Sequence, residues 1–478
     1  MAHFNYHSLD ELKADIHAFG LEDKIPLDDD FSVFSKPLKI NEKFTVPRRF
    51  AVHPMEGFDS DAEGRPGELA FRRYARYARG GFGLIWFEAT AVLHEARSNP
   101  SQFWLHEGSW ETFAKLLAET KKIARETNGF EPLCVIQLTH SGRYSRPEGT
   151  PKPLIAHHSL YLDPIHKLPP DYPLVTDDYL DRLQDTFVNA AKLAQRAGFD
   201  GIDLKGCHRY LMSELFASHT REGKYGGSLE NRTRLMRETL AKIKAACPGL
   251  LVTTRMNIYD ALPYPYGFAM QKDGSREPDL NETNWLIGCL KEIGIPIVNL
   301  TIANPYYEPY YGRPFDTPII GAPDAPEHPL QGVARFIDIV GKVQKANPDL
   351  PVIGTGYTWL RQFLPYAAAA TLKLGKAAMI GLGRGAFAYP DTPNDVIQKG
   401  AMDPKKCCVT CSRCTQIMRD GEHTGCVIRD AETYAKSYQA DAVILTCPAP
   451  RGNPEMRTGE VHWMMNDAEP TFLTTAAP

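Results

Sequence analysis

The chain has 478 residues, 43% of them hydrophobic and 23% charged, with a formal charge of −4. This is the composition of a globular protein, and it offers neither nucleic acid nor an anionic membrane a basic surface. The N-terminal stretch carries acids and no apolar core, and no run of about 18 apolar residues is present to span a bilayer, so a cytoplasmic, non-membrane location is the default expectation.

Residues 1–48 are expected to form one helix and a hairpin over "FSVFSKPLKINEKFTVP", placed to plug the bottom of the fold that follows. From residue 49 onward, short apolar runs alternate with helical patterns. The runs begin at Arg49, Gly83, Glu131, Gly198, Leu250, Ile295, Leu350 and Ala377. They are rich in Val, Ile and Leu and lack period-two alternation, as strands buried on both faces do. Between them, "TDDYLDRLQDTFVNAAKLAQRAG" reads as a helix with Thr176 as N-cap, acids in the first turn and Gly198 as the stop. "SLENRTRLMRETLAKIKAACPG" reads as another, capped by Ser228. Eight strand–helix repeats predict a (β/α)8 barrel over residues 49–400. A doubly wound sheet would carry its glycine-rich phosphate turn after the first strand, and "HPMEGF" has no such pattern.

A barrel assembles its site from loops at the C-terminal ends of the strands. The strand ends carry Pro54, Met55 and Glu56, then Ala89, then Gln137 and His140. Lys205, His208 and Tyr210 follow, then Arg255, then Gly354 and Gly356, and last Gly383 and Arg384. Glycines at the last two turns allow backbone N–H groups to approach an anion, although glycine at such a turn also serves packing alone. The loop "NPYYEPYYGRPF" brings Tyr306, Tyr307 and Tyr310 to the rim as a candidate substrate wall. Five of the ten cysteines, Cys407, Cys408, Cys411, Cys414 and Cys426, fall within twenty residues of a final segment, 401–478. In a reducing compartment such a cluster favours metal over disulfide.

At these positions the chain resembles the Old Yellow Enzyme family of FMN-dependent oxidoreductases. "QLTHSGRYSRP", "HRYLMSELFASHTREGKYGGSLENRTR", "TTRM" and "MIGLGRGAFAYPD" carry the resemblance, which covers roughly residues 35–395. It implies FMN across the barrel mouth, with its phosphate at Gly354, Gly356, Gly383 and Arg384. Gln137 would meet the pyrimidine edge, Arg255 the N1 and O2 region, and main chain near Pro54, Met55 and Ala89 the ring. His208 and Lys205 would grip the substrate carbonyl, with His140 and the rim tyrosines around it. Tyr210 would give a proton to one carbon of an activated C=C bond as reduced FMN gives hydride to the other. NAD(P)H is the implied electron donor.

The departures from the family pattern concern charge. Lys205 stands where the family usually has His or Asn, Arg209 where it usually has Gly, and Glu56 where a Thr or Cys tunes the flavin. Lys205 and Arg209 are expected to add positive charge beside the pocket. Two readings of Lys205 stand: recognition of an anionic substrate, or an ion pair with Glu56.

Cys408-x2-Cys411-x2-Cys414-x11-Cys426 suits a [4Fe–4S] cluster or a zinc ion. Placed just after the barrel, it resembles the branch that includes trimethylamine dehydrogenase and 2,4-dienoyl-CoA reductase, which implies the cluster with these four cysteines as ligands. No dinucleotide glycines follow Cys426, so electrons are expected from NAD(P)H over FMN or from a partner protein through the cluster. The leading expectation is an ene-reductase acting on a small molecule, as a homo-oligomer. The alternatives are an oxidative amine or methyl-donor dehydrogenase and a non-catalytic redox carrier.

Overall fold

The computed structural model describes residues 4–438, 461–463 and 472–474. Eight parallel strands close on themselves: β1 (Phe50–Val52), β2 (Leu84–Ala91), β3 (Leu133–Thr139), β4 (Gly201–Leu204), β5 (Leu251–Asn257), β6 (Val298–Thr301), β7 (Val352–Gly354) and β8 (Met379–Leu382). β8 returns to β1 with Ile380 beside Phe50 and Leu382 beside Val52, so the sheet has no open edge. Each of the eight apolar runs of the sequence coincides with one of these strands to within a few residues. Burial on both faces is why they show no alternation.

The outer layer is α1 (Glu68–Arg79), α2 (Trp110–Asn128), α3 (Asp177–Arg196), α4 (Arg234–Ala246), α5 (Leu280–Ile293), α6 (Pro329–Ala346), α7 (Leu364–Lys373) and α8 (Thr392–Lys399). Thr176 caps α3, its Oγ1 accepting the Tyr179 N–H at 3.1 Å, with Asp177 and Asp178 in the first turn. Ser228 is also a cap, through the Asn231 N–H. The helix it starts is not continuous, however: Leu229–Arg232 ends at Thr233 and α4 begins at Arg234. The Thr233 hydroxyl donates to the Leu229 carbonyl at 2.8 Å, a back-bond that bends helices, and the buried Arg232 reaches across to Glu282 at 2.6 Å.

The N-terminal helix, Leu9–Ala18, carries a Ser8–Glu11 capping box. The expected hairpin is shorter than its sequence suggests. Leu38–Lys39 pairs with Thr45–Val46, while Phe31–Ser35 forms a 3-10 turn capped by Asp30. Phe44 and Val46 pack against Leu84, Val135, Leu251 and Met379. The last four sit early in their strands, so the hairpin closes the bottom of the barrel.

After α8 the chain returns to the barrel mouth. Asp430 accepts two hydrogen bonds of 2.7 Å from Arg72 on α1. The Thr424 N–H donates to the Gly57 carbonyl at 2.7 Å, Arg313 donates to Thr415 at 2.7 Å, and the Ile320 N–H to Gln416 at 3.1 Å. The Cys-rich segment is thereby pinned between the loops after β1 and β6. Cys447 and an apolar, strand-like run in the sequence at 440–446 lie outside the described residues. No helix among the described residues is long and apolar enough to cross a membrane.

Candidate active site

A cavity opens at the C-terminal ends of the strands. Pro54, Met55, Glu56, Gln137, Lys205, His208, Tyr210, Arg255, Tyr306, Gly356, Gly383 and Arg384 all line it. These are twelve residues that the sequence had singled out, from seven strand ends.

Five other candidates lie outside this lining. Ala89 is buried in β2, where its carbonyl accepts from Gln102 at 2.9 Å. Gly354 serves packing, since a Cβ there would come within 3.0 Å of the Tyr357 hydroxyl. His140 is satisfied within the protein: Nε2 lies 2.7 Å from the Tyr179 hydroxyl and Nδ1 accepts the Gly142 N–H at 3.0 Å. Burial pushes its pKa down to about 3. Tyr307 packs with Leu162 and Leu262, and Tyr310 lies against Tyr311. Of the rim tyrosines named, Tyr306 is the one turned into the cavity.

Turn geometry sets the wall after β4. His208 and Arg209 both adopt left-handed backbone, φ 64 and 61, which is strained for side chains with a Cβ. This turn delivers Tyr210 to the start of the short helix Leu211–Phe216. A left-handed φ at 209 suits glycine. Here Arg209 is held there by Asp260, 2.9 Å from its guanidinium, and by His157 at 2.9 Å. Arg209 therefore adds no charge to the cavity, contrary to the sequence-based expectation, because its guanidinium is fully buried in an ion pair.

Lys205 forms no ion pair with Glu56. Its Nζ sits 3.4 Å from the centroid of the Tyr210 ring, a cation–π contact. Burial lowers its pKa and the field of Glu56 partly offsets this. Glu56 instead accepts from Gln102 Nε2 at 2.8 Å, Ser98 at 3.3 Å and the Tyr210 hydroxyl at 3.2 Å. Burial and the nearby Glu56 carboxylate raise the Tyr210 pKa well above that of an ordinary phenol. His208 is held neutral by burial and by Arg255 and Lys205.

The floor has a second layer that the sequence reading did not find. Asp203, fully buried in β4, accepts from Gln137 Nε2 at 2.5 Å, Trp86 Nε1 at 2.8 Å and the Arg255 N–H at 2.6 Å. It fixes the Gln137 amide so that Oε1 is the free end. His53 also lines the cavity, its Nδ1 3.1 Å from Asn299. A Cβ at Gly381 would lie 2.1 Å from the His53 ring. The polar residue within the first apolar run was the available signal for His53; an Asp inside the apolar run of β4 was the signal for Asp203.

Several buried polar atoms in this lining have no partner: Gln137 Oε1, His53 Nε2, Arg255 Nε, Arg384 Nη1, and Nε and Nη2 of Arg313. Buried polar groups are ordinarily satisfied, so these atoms together describe a polar ligand. Lys205, Arg255, Arg313, Arg384 and Arg419 face the cavity, and Glu56 is the one carboxylate among the lining residues. Such a surface fits an anion.

Cys408, Cys411, Cys414 and Cys426 line a small neighbouring cavity. Arg384, Phe387 and Cys414 belong to both walls. Among the described residues, no three His, Cys, Asp or Glu side chains are arranged to hold a single metal ion.

Residues 32–269 match the model of the NADH:flavin oxidoreductase / NADH oxidase family. The NADPH dehydrogenase of Clostridium acetobutylicum is 32% identical over 219 residues, 44% of this chain and 61% of that protein. The NADPH dehydrogenase of Halalkalibacterium halodurans is 33% identical over 215 residues, 43% and 58% of the two chains. A NADH oxidase of Thermoanaerobacter brockii is 25% identical over 377 residues, 77% of this chain and 51% of that one. The matches thus span less than two thirds of these relatives' length. Among solved structures, a 2-naphthoyl-CoA reductase complex superposes with a TM-score of 0.68 at 18% identity, covering 86% of this chain and 58% of the other. The Old Yellow Enzyme homologue of Zymomonas mobilis gives 0.57 at 20%, covering 78% and 94%. At these identities the likeness is one of fold. Over residues 32–269, this chain is therefore similar to the NADH:flavin oxidoreductase / NADH oxidase family.

Proposed function

We propose that the chain is an FMN-dependent oxidoreductase that reduces an activated C=C bond in a small anionic substrate, with Tyr210 as the proton donor. The observation that carries this reading is one wall of the cavity. The Tyr210 phenol, the His208 imidazole and the Lys205 amine, which has no ion pair, stand together at the end of β4, beside the unsatisfied Gln137 and Arg255.

FMN fits the orphaned atoms. Gln137 Oε1 is an acceptor for the ring's pyrimidine N–H, and Arg255 offers positive charge to its electron-rich edge. Gly356, Gly383 and Arg384 suit the phosphate. When bound, FMN would carry an electron pair from NAD(P)H to the substrate. The chain's own residues would do the rest. Neutral His208 and charged Lys205 draw electron density toward the substrate's activating group. Tyr210, kept protonated by burial and by Glu56, supplies the proton. Lys205 makes no ion pair with a protein carboxylate, which favours a substrate carboxylate over a neutral carbonyl.

We also propose a [4Fe–4S] cluster at Cys408, Cys411, Cys414 and Cys426. Four thiols lining one cavity, at Cys-x2-Cys-x2-Cys-x11-Cys spacing, suit such a cluster, with zinc as the alternative. The wall shared through Cys414, Arg384 and Phe387 also supports a second reading, in which electrons taken from a substrate leave through the cluster to a partner protein. An anaerobic absorbance spectrum with iron and zinc analysis tests the cofactor set. We expect a flavin spectrum overlaid on broad iron–sulfur absorption, with about four irons per chain. Stoichiometric zinc without iron, or no flavin, would overturn it. Bleaching by amines but not by NAD(P)H would favour the second reading.

A further inference from the structure

The Tyr210 hydroxyl is held at both ends. It donates to Glu56 Oε2 at 3.2 Å and lies 3.2 Å from the Tyr306 hydroxyl. The three groups come from the loops after β1, β4 and β6. Tyr210 itself is 1% exposed, so bulk water does not reach it directly. Glu56 is only half-buried, and its other oxygen is oriented by Gln102 at 2.8 Å and Ser98 at 3.3 Å. A carboxylate fixed in this way has one oxygen left for the phenol. Orientation alone would be met by an amide, whereas Glu56 can carry a proton as well.

We propose that Glu56 is the proton-supplying partner of Tyr210: it takes a proton from water in the cavity and hands it to the Tyr210 oxygen after each turnover. The inference rests on the ene-reductase reading above and adds the step that resets it. In the first step the Tyr210 O–H bond breaks and a C–H bond forms on the substrate carbon, leaving a phenolate. In the second, a water O–H breaks to protonate the Glu56 carboxylate, with hydroxide leaving to solvent; the Glu56 carboxyl O–H then breaks and the phenol O–H reforms, which returns Glu56 to the carboxylate that accepts from Tyr210. No electrons move in the second step, and water is the proton source. Lys205, over the Tyr210 ring, stabilises the phenolate between the two steps. The other titratable or charged groups facing the pair are Tyr306, Arg146 and Cys207. Glu56 acts through Tyr210, not on the substrate.

Glu56→Gln, nearly isosteric but unable to carry the proton, tests this in the full-length holoenzyme. Prereduced protein is mixed with an α,β-unsaturated acid, and the first flavin reoxidation is compared with steady-state turnover. We expect the steady-state rate to fall roughly tenfold further than the first reoxidation, and added formate or acetate to restore it. Equal loss in both phases, absence of rescue by small acids, or the same pattern in Tyr306→Phe would overturn the proposal. A second readout needs no alkene turnover. With a fluorinated tyrosine of lower intrinsic pKa at position 210, the phenol's ultraviolet titration should move to lower pH in Glu56→Gln. An unmoved titration would show that Glu56 does not act on this phenol. A wild-type protein that reduces no alkene would instead remove the ene-reductase reading, and the titration would still decide the pairing.

Discussion

Single residues in this site are read through what holds them. Lys205 marks the main departure from the family pattern, and it is buried with its charge on a ring rather than on a carboxylate. If that charge awaits a substrate anion, Lys205→Met raises KM for unsaturated acids by roughly tenfold more than for neutral enones, a difference of about 1.4 kcal/mol. Steady-state kinetics on matched acid and ester substrates measures it, and an equal effect on both would assign Lys205 to Tyr210 alone. Asp203 provides a pH prediction. Burial pushes its pKa up to about 6, with the hydrogen bonds from Gln137, the Arg255 N–H and Trp86 pulling the other way. Because the folded-state pKa is raised, the folded chain binds this proton more tightly than the unfolded chain, so acid does not cost folding stability here. It does cost the anchor of Gln137. FMN affinity, followed by flavin fluorescence, is therefore expected to weaken as pH falls through about 6, and Asp203→Asn to remove that step. The sequence alone showed Tyr210, His208, Gln137 and Arg255, because motif and strand end coincide there. It did not show that Arg209 turns away to Asp260, since that pairing joins residues on separate loops.

At the scale of elements, strand runs were legible because burial on both faces leaves an unbroken apolar stretch. The hairpin was overread for the opposite reason. "FSVFS" has strand-like composition, yet Asp30 captures the Ser32 N–H at 3.0 Å and winds it into a turn. The loop after β6 shows the same limit. Its tyrosines look equivalent in sequence, but a turn with Asn304 Oδ1 accepting the Tyr306 N–H at 3.0 Å sends Tyr306 into the cavity and Tyr307 into an apolar cluster. The β8–β1 contact gives an element-scale prediction. Gly381 leaves room for His53, and a Cβ would stand 2.1 Å from its ring. Gly381→Ala should cost roughly 1–3 kcal/mol by overpacking, measured by urea unfolding, and should lower FMN content at the same time. Unchanged unfolding would show that His53 can move at no cost.

The molecule as a whole joins two neighbouring cavities through one wall. The barrel supplies a cationic cavity floored by β3, β4 and β5. The Cys-rich segment, tied to α1 by Asp430 and to the loop after β1 by Thr424, completes that cavity with Met418 and Arg419 while surrounding its own with four thiols. The spacing of the cysteines was plain in the sequence, but their position against the barrel depends on contacts hundreds of residues apart, such as Arg72 with Asp430. The central claim is that electrons delivered in this cavity reach an activated alkene while Tyr210 delivers the proton. The most direct test is anaerobic stopped-flow of the prereduced protein with an α,β-unsaturated acid, wild type against Tyr210→Phe. The account predicts rapid flavin reoxidation in the wild type and a loss of roughly 10²-fold or more in Tyr210→Phe. Equal reoxidation rates in the two proteins would contradict it.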